Sequence, residues 1–440
     1  MMNTTAMDTL RQFRQAVYQT LGRRKDSLFE LLDAVLAAPV RSTLVRLSLA
    51  AAFRRQWPST CDALADGQVK PARLRAVLHA TLPEPEAPAR PLWAGDGTTW
   101  PRPAAKTSPG RTYGHFASPG IPQDSLIVGW EYEWLVAVPE PGTSWVLPLD
   151  VRRRAPGSGT PTELAVRQLR AGLARRPAEA ARPVGLYDSG YDPVQFARAR
   201  LDVDLLVRLR TRRKFFGPPK PYQGRGPRPK HGHTFKLWDE TTHPPPARSA
   251  SLADPIHGQV RVDVWPDQHG QGAHDVPFTV VRVQVERLPR HARTPKPLWL
   301  AWLGGDLPTD LHDLWRWYTA RFTAEQGFRF LKQDVGWTTV RPRDPRAADR
   351  WSWLLALAFW QLWLARTLVA DHRLPWERPL PPDRLTPGRV RRALALELSR
   401  VGTPARPVRR RGISPGRRPG QCPEPRPRYP VARRRPQRVA

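Results

Sequence analysis

The sequence predicts an α/β protein in which helices flank a β-sheet. Two observations support this prediction. Strand-like apolar runs alternate with amphipathic helical patterns between residues 92 and 210, and two long helical segments follow after residue 310. In addition, β-like runs between about 211 and 305 indicate a β-rich insertion, and helical patterns before residue 80 indicate an all-α N-terminal region.

The N-terminal region is predicted to be helical because apolar side chains recur at helical spacing in 26–40 and 42–57. Asp26 and Ser42 are suitable N-cap residues for these two helices. A proline-rich stretch at 82–91 then predicts a linker. The predicted division is an N-terminal region 1–85, a central domain 86–370 with the insertion at about 211–305, and a C-terminal segment 371–440 that is partly helical and ends in a disordered tail.

The central domain has a regular order of predicted elements: three strands and a helix, then strand, helix and strand. Aromatic and β-branched residues indicate the strands, and Pro161 and Glu163 suit the start of the first helix. The predicted strands are an apolar segment from 91 that ends at Asp96, then 125–138, 144–150, 182–192 (running into a turn), 204–210, 258–265, 277–288 and 297–303. The predicted helices are 161–176, 193–201, one from about 310 and one at about 346–371.

The charge of the chain indicates a polyanionic partner. Lysine and arginine number 71 against 39 aspartate and glutamate, a net charge of +32, and soluble proteins this basic commonly bind nucleic acid. Most of the excess is arginine, which a GC-rich genome would also favour. The Arg- and Pro-rich end of the chain, from about 401, is predicted to be disordered. It either adds non-specific DNA affinity or reflects drift in composition.

Several classes of protein are disfavoured by the sequence. Cys61 and Cys422 are the only cysteines, too few and too distant for a disulfide framework or a zinc site, and they fit a reducing cytosol. The N-terminus lacks the apolar core of a signal peptide. The apolar run 351–365 contains Gln361 and is shorter than the roughly 20 residues that a bilayer requires. We therefore expect a buried core helix there and no membrane partner.

The helix predicted around 317–337 carries an unusual polar face. Tyr318, Arg321, Glu325 and Lys332 fall within an arc of roughly 60° on a helical wheel. One carboxylate among two cations and a phenol suits a site that holds both a metal ion and phosphates. The alternative is a solvated Arg–Glu pair, four residues apart, on a surface helix.

Two aspartates extend this candidate site. Asp96 and Asp188 each end an apolar strand-like segment, with glycine following within two residues. Such strand ends commonly carry ligands in enzymes that contain a sheet. Asp-Gly and Asp-Ser-Gly are also ordinary turn sequences, which is the alternative interpretation of both positions.

The spacing Tyr318-x2-Arg321-x3-Glu325-x6-Lys332 matches the Tyr-Arg-Glu-Lys signature of a large group of bacterial insertion-sequence transposases. The chain resembles these DDE enzymes over roughly residues 93–366. The resemblance implies a ribonuclease-H-like core with a mixed sheet, in which Asp96 and Asp188 look like the family's first and second aspartates. A β-rich insertion before the glutamate is common in the family and fits 211–305.

The resemblance also implies a function. Asp96, Asp188 and Glu325 would be the catalytic residues and would hold two Mg²⁺ ions, for which Mn²⁺ could substitute. Tyr318, Arg321 and Lys332 would bind the phosphates beside the scissile bond. In the family, water cuts the transposon end and the freed 3′-hydroxyl then attacks target DNA.

The implied partner is double-stranded DNA, both terminal repeats and target, bound by a homodimer on paired ends. The N-terminal region would bind the DNA ends, and the protein would act in the bacterial cytoplasm at the nucleoid. Two alternatives remain: a DNA-binding protein with a decayed catalytic core, and an RNA-binding or nuclease-like housekeeping protein that shares only the fold.

A basic loop and one tryptophan are further candidates. The loop 211–233 mixes cations with aromatic side chains, which suits contacts to a DNA backbone, although a solvated loop would look the same. Trp337 could stack on a displaced base or pack in the core. His231 and His233 lack a nearby cysteine or acid, so a metal site is disfavoured. The candidate DNA contacts are Arg212, Arg213, Lys214, Lys230 and Trp337.

Overall fold

One large mixed sheet organises the protein. The computed structural model describes residues 2–86, 89–115, 126–224, 226–288, 295–408, 419–420, 422 and 425–431. The ten-stranded sheet has the order β2-β3-β1-β5-β6-β12-β11-β10-β9, with β4 also paired to β3, and β7 and β8 form a separate pair. The strands are β1 Leu92–Pro101, β2 Thr112–His115, β3 Leu126–Ala137, β4 Leu147–Arg154, β5 Val184–Tyr187, β6 Asp204–Arg208, β7 Lys214–Phe216, β8 Thr234–Lys236, β9 Arg248–Asp254, β10 Gly258–Gln268, β11 Phe278–Val285 and β12 Leu298–Leu303.

The helices pack against the sheet and form the N-terminal region. Among the described strands, only the β1–β5 and β5–β6 pairs are parallel, as expected where helical connections join neighbouring strands. The predicted α/β class with a mixed sheet is therefore confirmed. The helices are α1 Met2–Thr20, α2 Lys25–Ala37, α3 Leu44–Leu47, α4 Pro58–Asp66, α5 Pro71–Ala80, α6 Pro161–Leu173, α7 Pro193–Ala199, α8 His312–Gln333, α9 Pro345–Ala365 and α10 Pro387–Val401.

Most of the β-rich insertion joins the central sheet. Its strand β12 pairs with β6 through Leu300 and Arg208, and β11, β10 and β9 follow outward, while β7 and β8 form their own pair. The insertion therefore lengthens the central sheet from its β6 side. The middle residues of β12 are buried, and its backbone is paired on both edges, by β6 and β11.

The N-terminal helices share a hydrophobic core with the central domain. The guanidinium of Arg14 lies 2.8 Å from Asp33 and also donates to Gln361 of α9, and all three side chains are buried. A buried charge must be paired, so this contact ties α1 and α2 to α9. The boundary near residue 85 stays a prediction.

Three local predictions were wrong. The helix expected at 42–57 is confined to α3, and α4 begins only at Pro58, whose ring suits a helix start but not an interior. The first strand does not end at Asp96 but continues to Pro101, because β3 pairs with it along that length. Strands β2, β7, β8 and β9 were missed: β2, β7 and β8 have only three or four residues, and β9 is rich in polar and small residues. The predicted disorder of the Arg- and Pro-rich end falls largely on residues outside the described ones.

Helix α9 contains the apolar run 351–365, which is almost wholly buried, as predicted. Its surface is covered by β4 on one side and by α1, α2 and α10 on the other. In the described parts of the chain, no helix combines the length and apolar character needed to cross a membrane.

Gly327 explains how α8 packs so closely. A Cβ atom on this residue would lie 2.4 Å from Cγ2 of Val146, in the segment that leads into β4. A glycine within a helix costs about 1 kcal/mol relative to alanine. The close contact between α8 and the segment before β4 offsets that cost and sets the depth of α8 against the sheet.

Candidate active site

Asp96 and Asp188 lie side by side because of strand register. In the parallel pair of β1 and β5, Ala94 is opposite Leu186. Two residues further along each strand are Asp96, within β1, and Asp188, directly after β5. The sheet therefore brings together two carboxylates that are 92 residues apart in the chain.

Arg321 of α8 joins both aspartates to Glu325. Its Nη2 atom lies 3.7 Å from Oδ2 of Asp96 and 3.9 Å from Oδ2 of Asp188, so these two oxygens are less than 8 Å apart. Its Nη1 atom donates to Oε1 of Glu325 at 2.7 Å. The three predicted catalytic carboxylates thus surround a single guanidinium. The Arg–Glu pair of the alternative interpretation exists, but only its glutamate is solvated, because Arg321 is 8% exposed while the Glu325 side chain is 47% exposed.

The electrostatics of this cluster reflect crowded negative charge. Burial, with the carboxylates of Asp188 and Glu325 nearby, raises the pKa of Asp96 to about 6, although Arg321 and Lys332 oppose that rise. Burial alone would lower the pKa of Arg321, but the surrounding carboxylates raise it above its usual value. The three carboxylates therefore favour a cation among them, and in the structure that cation is the Arg321 guanidinium.

Tyr318 and Lys332 complete the helix face. Tyr318 is buried, and its hydroxyl has no hydrogen-bond partner among the residues that the structure describes. Burial raises the pKa of Tyr318 to about 12, so the hydroxyl remains a donor at neutral pH. Burial lowers the pKa of Lys332, while the Asp96 carboxylate opposes that shift.

The donor atoms fit a hard divalent cation. All three carboxylates offer oxygen ligands, which Mg²⁺ prefers, and they already share one cationic partner in Arg321. They do not form a closed cluster: over the described ranges, no three His, Cys, Asp or Glu side chains are grouped tightly enough to hold a metal ion. In the structure, the cation that these three carboxylates share is the Arg321 guanidinium.

Trp337 belongs to the core. It is 1% exposed, it packs against Trp100, Tyr132 and Trp134, and its Nε1 atom donates to Oγ of Ser352 at 2.8 Å. The indole ring is buried among these side chains, so it cannot stack on a displaced base. Of the two interpretations of Trp337, packing in the core is correct and the predicted DNA contact is wrong.

The basic loop 211–233 contains β7 and leads into β8. Arg212, Lys214 and Lys230 are exposed and Arg213 is half-buried, so all four stay candidate DNA contacts. Of the aromatic residues, Phe215 is buried against Phe278, whereas Tyr222 is exposed.

His231 packs within the insertion. Its ring contacts that of Phe216, and it hydrogen-bonds His269, with 2.9 Å between Nδ1 and Nε2. That no metal is held by His231 and His233 stays a prediction.

Sequence reasoning missed the buried groups behind the site. Glu131 and Glu133 of β3 lie opposite Thr99 and Gly97 of β1, and Arg154 of β4 pairs with both of them. With Tyr191 they line a cavity of about 170 Å³ that Asp96 and Asp188 also border. The alternation in Trp-Glu-Tyr-Glu-Trp, residues 130–134, was the available signal, since it places both glutamates on one face of a strand.

This chain is similar to a protein-family model and to a solved structure. A family model described as DDE superfamily endonuclease matches residues 16–269, more than half of the chain; it includes Asp96 and Asp188 and ends before α8. The structure of a piggyBac transposase synaptic complex with hairpin DNA aligns with 86% of this chain and 73% of that chain, at 10% identity and a TM-score of 0.45. No curated protein matches by sequence. On the family match, this chain belongs to the DDE superfamily endonucleases.

Proposed function

We propose that this protein is the transposase of an insertion sequence, which cuts DNA at the ends of its element and joins them to target DNA. The observation that supports this proposal most strongly is the convergence of Asp96, Asp188 and Glu325 on Arg321. The intact set of three carboxylates favours an active enzyme over a decayed one. The Tyr-Arg-Glu-Lys spacing favours it over a housekeeping nuclease.

Asp96, Asp188 and Glu325 would hold two Mg²⁺ ions. When bound, such ions activate the attacking oxygen and stabilise the leaving oxygen of an in-line displacement. In the first step a water oxygen attacks phosphorus and the P–O3′ bond breaks, which leaves a 3′-hydroxyl on the element end. In the second step that hydroxyl attacks a phosphodiester of target DNA, and a target 3′-hydroxyl leaves.

The cations and the phenol would bind the DNA. The unpartnered hydroxyl of Tyr318 can donate to a phosphate oxygen, and the Lys332 ammonium can approach one as a point charge. Arg321, once its place among the carboxylates is taken by metal, presents a planar fork that suits bidentate contact with phosphate. Arg321 would thus neutralise the carboxylates when no metal is bound and contact the DNA phosphate when metal is bound.

Cleavage of a duplex that carries the DNA flanking this gene tests the proposal. We expect the full-length protein with Mg²⁺ or Mn²⁺ to produce nicks with 3′-hydroxyl ends at the element boundary, and EDTA to abolish them. Binding without cleavage in either metal would identify a decayed enzyme. Cleavage that resists EDTA would contradict the metal-dependent mechanism.

Neutralising the basic loop should weaken DNA binding without base preference. With Arg212, Arg213, Lys214 and Lys230 changed to glutamine, we expect the slope of log affinity against log salt to fall by up to about 4, because each lost phosphate contact removes roughly one released counterion. The measurement is a salt titration of duplex binding. An unchanged slope would show that the loop stays in solvent.

A further inference from the structure

The turn that carries Asp188 is anchored at both ends by tyrosines. Asp188 itself accepts a hydrogen bond at Oδ1 from the backbone N–H of Gly190, at 2.8 Å, while its other oxygen, Oδ2, faces Arg321. Tyr187 lies immediately before it and Tyr191 three residues after it, and both are buried, with ring centroids 4.8 Å apart. The orientation of the Asp188 carboxylate therefore depends on this short turn.

Tyr191 connects the turn to the strands that carry the other aspartate. Its hydroxyl donates to Oε2 of Glu133 at 2.7 Å, and both groups are buried. Glu133 is opposite Gly97 in the sheet, the residue after Asp96. A hydrogen bond to a carboxylate is about twice as strong as one between neutral groups. This bond therefore links the Asp188 turn to the position beside Asp96.

Two further contacts hold the link in place. Arg154 of β4 pairs with Glu133, with 3.6 Å between Nε and Oε1, and so fixes the acceptor. The ring of Tyr187 lies against Gly95 of β1, where an added Cβ would be 2.1 Å from Cε1. Burial raises the pKa of Tyr191 well above its usual value, so its hydroxyl stays a donor. The anchor is thus complete before any ligand binds.

We infer that Tyr191 and Glu133 are positioning residues that fix the Asp188 turn beside Asp96 and so orient the Asp188 carboxylate for binding a divalent metal ion. The inference rests on the proposed function, because it assumes that both aspartates bind metal. Residues that orient metal ligands through hydrogen bonds commonly affect metal affinity 10- to 100-fold when they are changed. Neither side chain needs to contact the metal or the DNA.

Tyr191→Phe tests this inference, since it removes only the hydroxyl. We expect the Mn²⁺ concentration that gives half of the metal-induced rise in melting temperature to increase about tenfold in the full-length variant. Cleavage at saturating Mn²⁺ should recover most of its rate. Glu133→Gln keeps an acceptor oxygen but loses its charge, so we expect a smaller shift in the same direction.

Tyr132→Phe is the matched control. Tyr132 neighbours Glu133 in β3, and its buried hydroxyl makes a similar bond to Oδ1 of Asp349, at 2.8 Å, on the opposite face of the sheet. The Tyr132→Phe variant should be less stable than the wild type. The Mn²⁺ concentration that gives half of its metal-induced rise in melting temperature should equal that of the wild type. Equal midpoints in Tyr191→Phe and Tyr132→Phe would overturn the inference. A wild type that neither binds Mn²⁺ nor cleaves DNA would instead overturn the proposed function.

Discussion

Glu325→Gln is expected to reduce metal-dependent DNA cleavage about a thousandfold. The substitution keeps the size of the side chain but removes one of three carboxylates that surround Arg321. Metal ions contribute several kcal/mol to the stabilisation of such transition states, and each 1.36 kcal/mol corresponds to about a tenfold change in rate. The measurement is the single-turnover rate on a duplex containing the element end, at saturating Mg²⁺.

The control for this variant is Glu397→Gln on α10. Glu397 also pairs with an arginine of its own helix, Arg400, at 2.9 Å. Because it lies outside the candidate site, its loss should leave cleavage unchanged. If Glu325→Gln and Glu397→Gln cleave alike, Glu325 does not act in catalysis and the assignment of the third carboxylate fails.

Arg321→Gln is expected to destabilise the metal-free protein and to strengthen metal binding. Removal of the guanidinium leaves three carboxylates without their shared cation. Arg321 is buried but the Asp188 and Glu325 side chains are 39% and 47% exposed, so solvent screening should limit the loss to about 2 kcal/mol. Divalent ions should restore that stability, because they no longer compete with the guanidinium. Urea unfolding in EDTA and in Mg²⁺ measures both effects.

Arg316→Gln provides the comparison on the same helix. Arg316 pairs with Asp310 and Asp313 at 2.8 and 2.9 Å, but it is exposed, and such surface pairs contribute less than about 1 kcal/mol. We expect little change in stability and none in metal response. Equal losses in Arg316→Gln and Arg321→Gln would show that Arg321 has no special role among the carboxylates.

Local pattern was enough to predict much of the site. The helical period placed Tyr318, Arg321, Glu325 and Lys332 on one face, and α8 indeed directs Arg321 at both aspartates. The family match confirms the resemblance at the level of DDE endonucleases, while the role of each residue stays a prediction. The position of Arg321 was not foreseen, because a helical wheel does not show which element lies opposite.

The features that were missed depend on contacts between distant segments. The insertion strands join the central sheet because β12 pairs with β6, and sheet pairing is not visible in the local pattern of either strand. Glu133 and Tyr191 meet across the sheet although 58 residues separate them. In the sequence neither residue stands out. Glu133 is a polar residue in a strand that alternates polar and aromatic side chains, and Tyr191 is an aromatic residue after a turn.

The most direct test of the account is the position of bound metal. In crystals of the full-length protein soaked with Mn²⁺, we predict two anomalous peaks about 3.5–4 Å apart, bounded by Asp96, Asp188 and Glu325, with the Arg321 guanidinium moved out from between them. Crystals without Mn²⁺ should retain the contacts of Arg321 to all three carboxylates. Saturating Mn²⁺ with no peak between these carboxylates, or with peaks only elsewhere, would contradict the central claim.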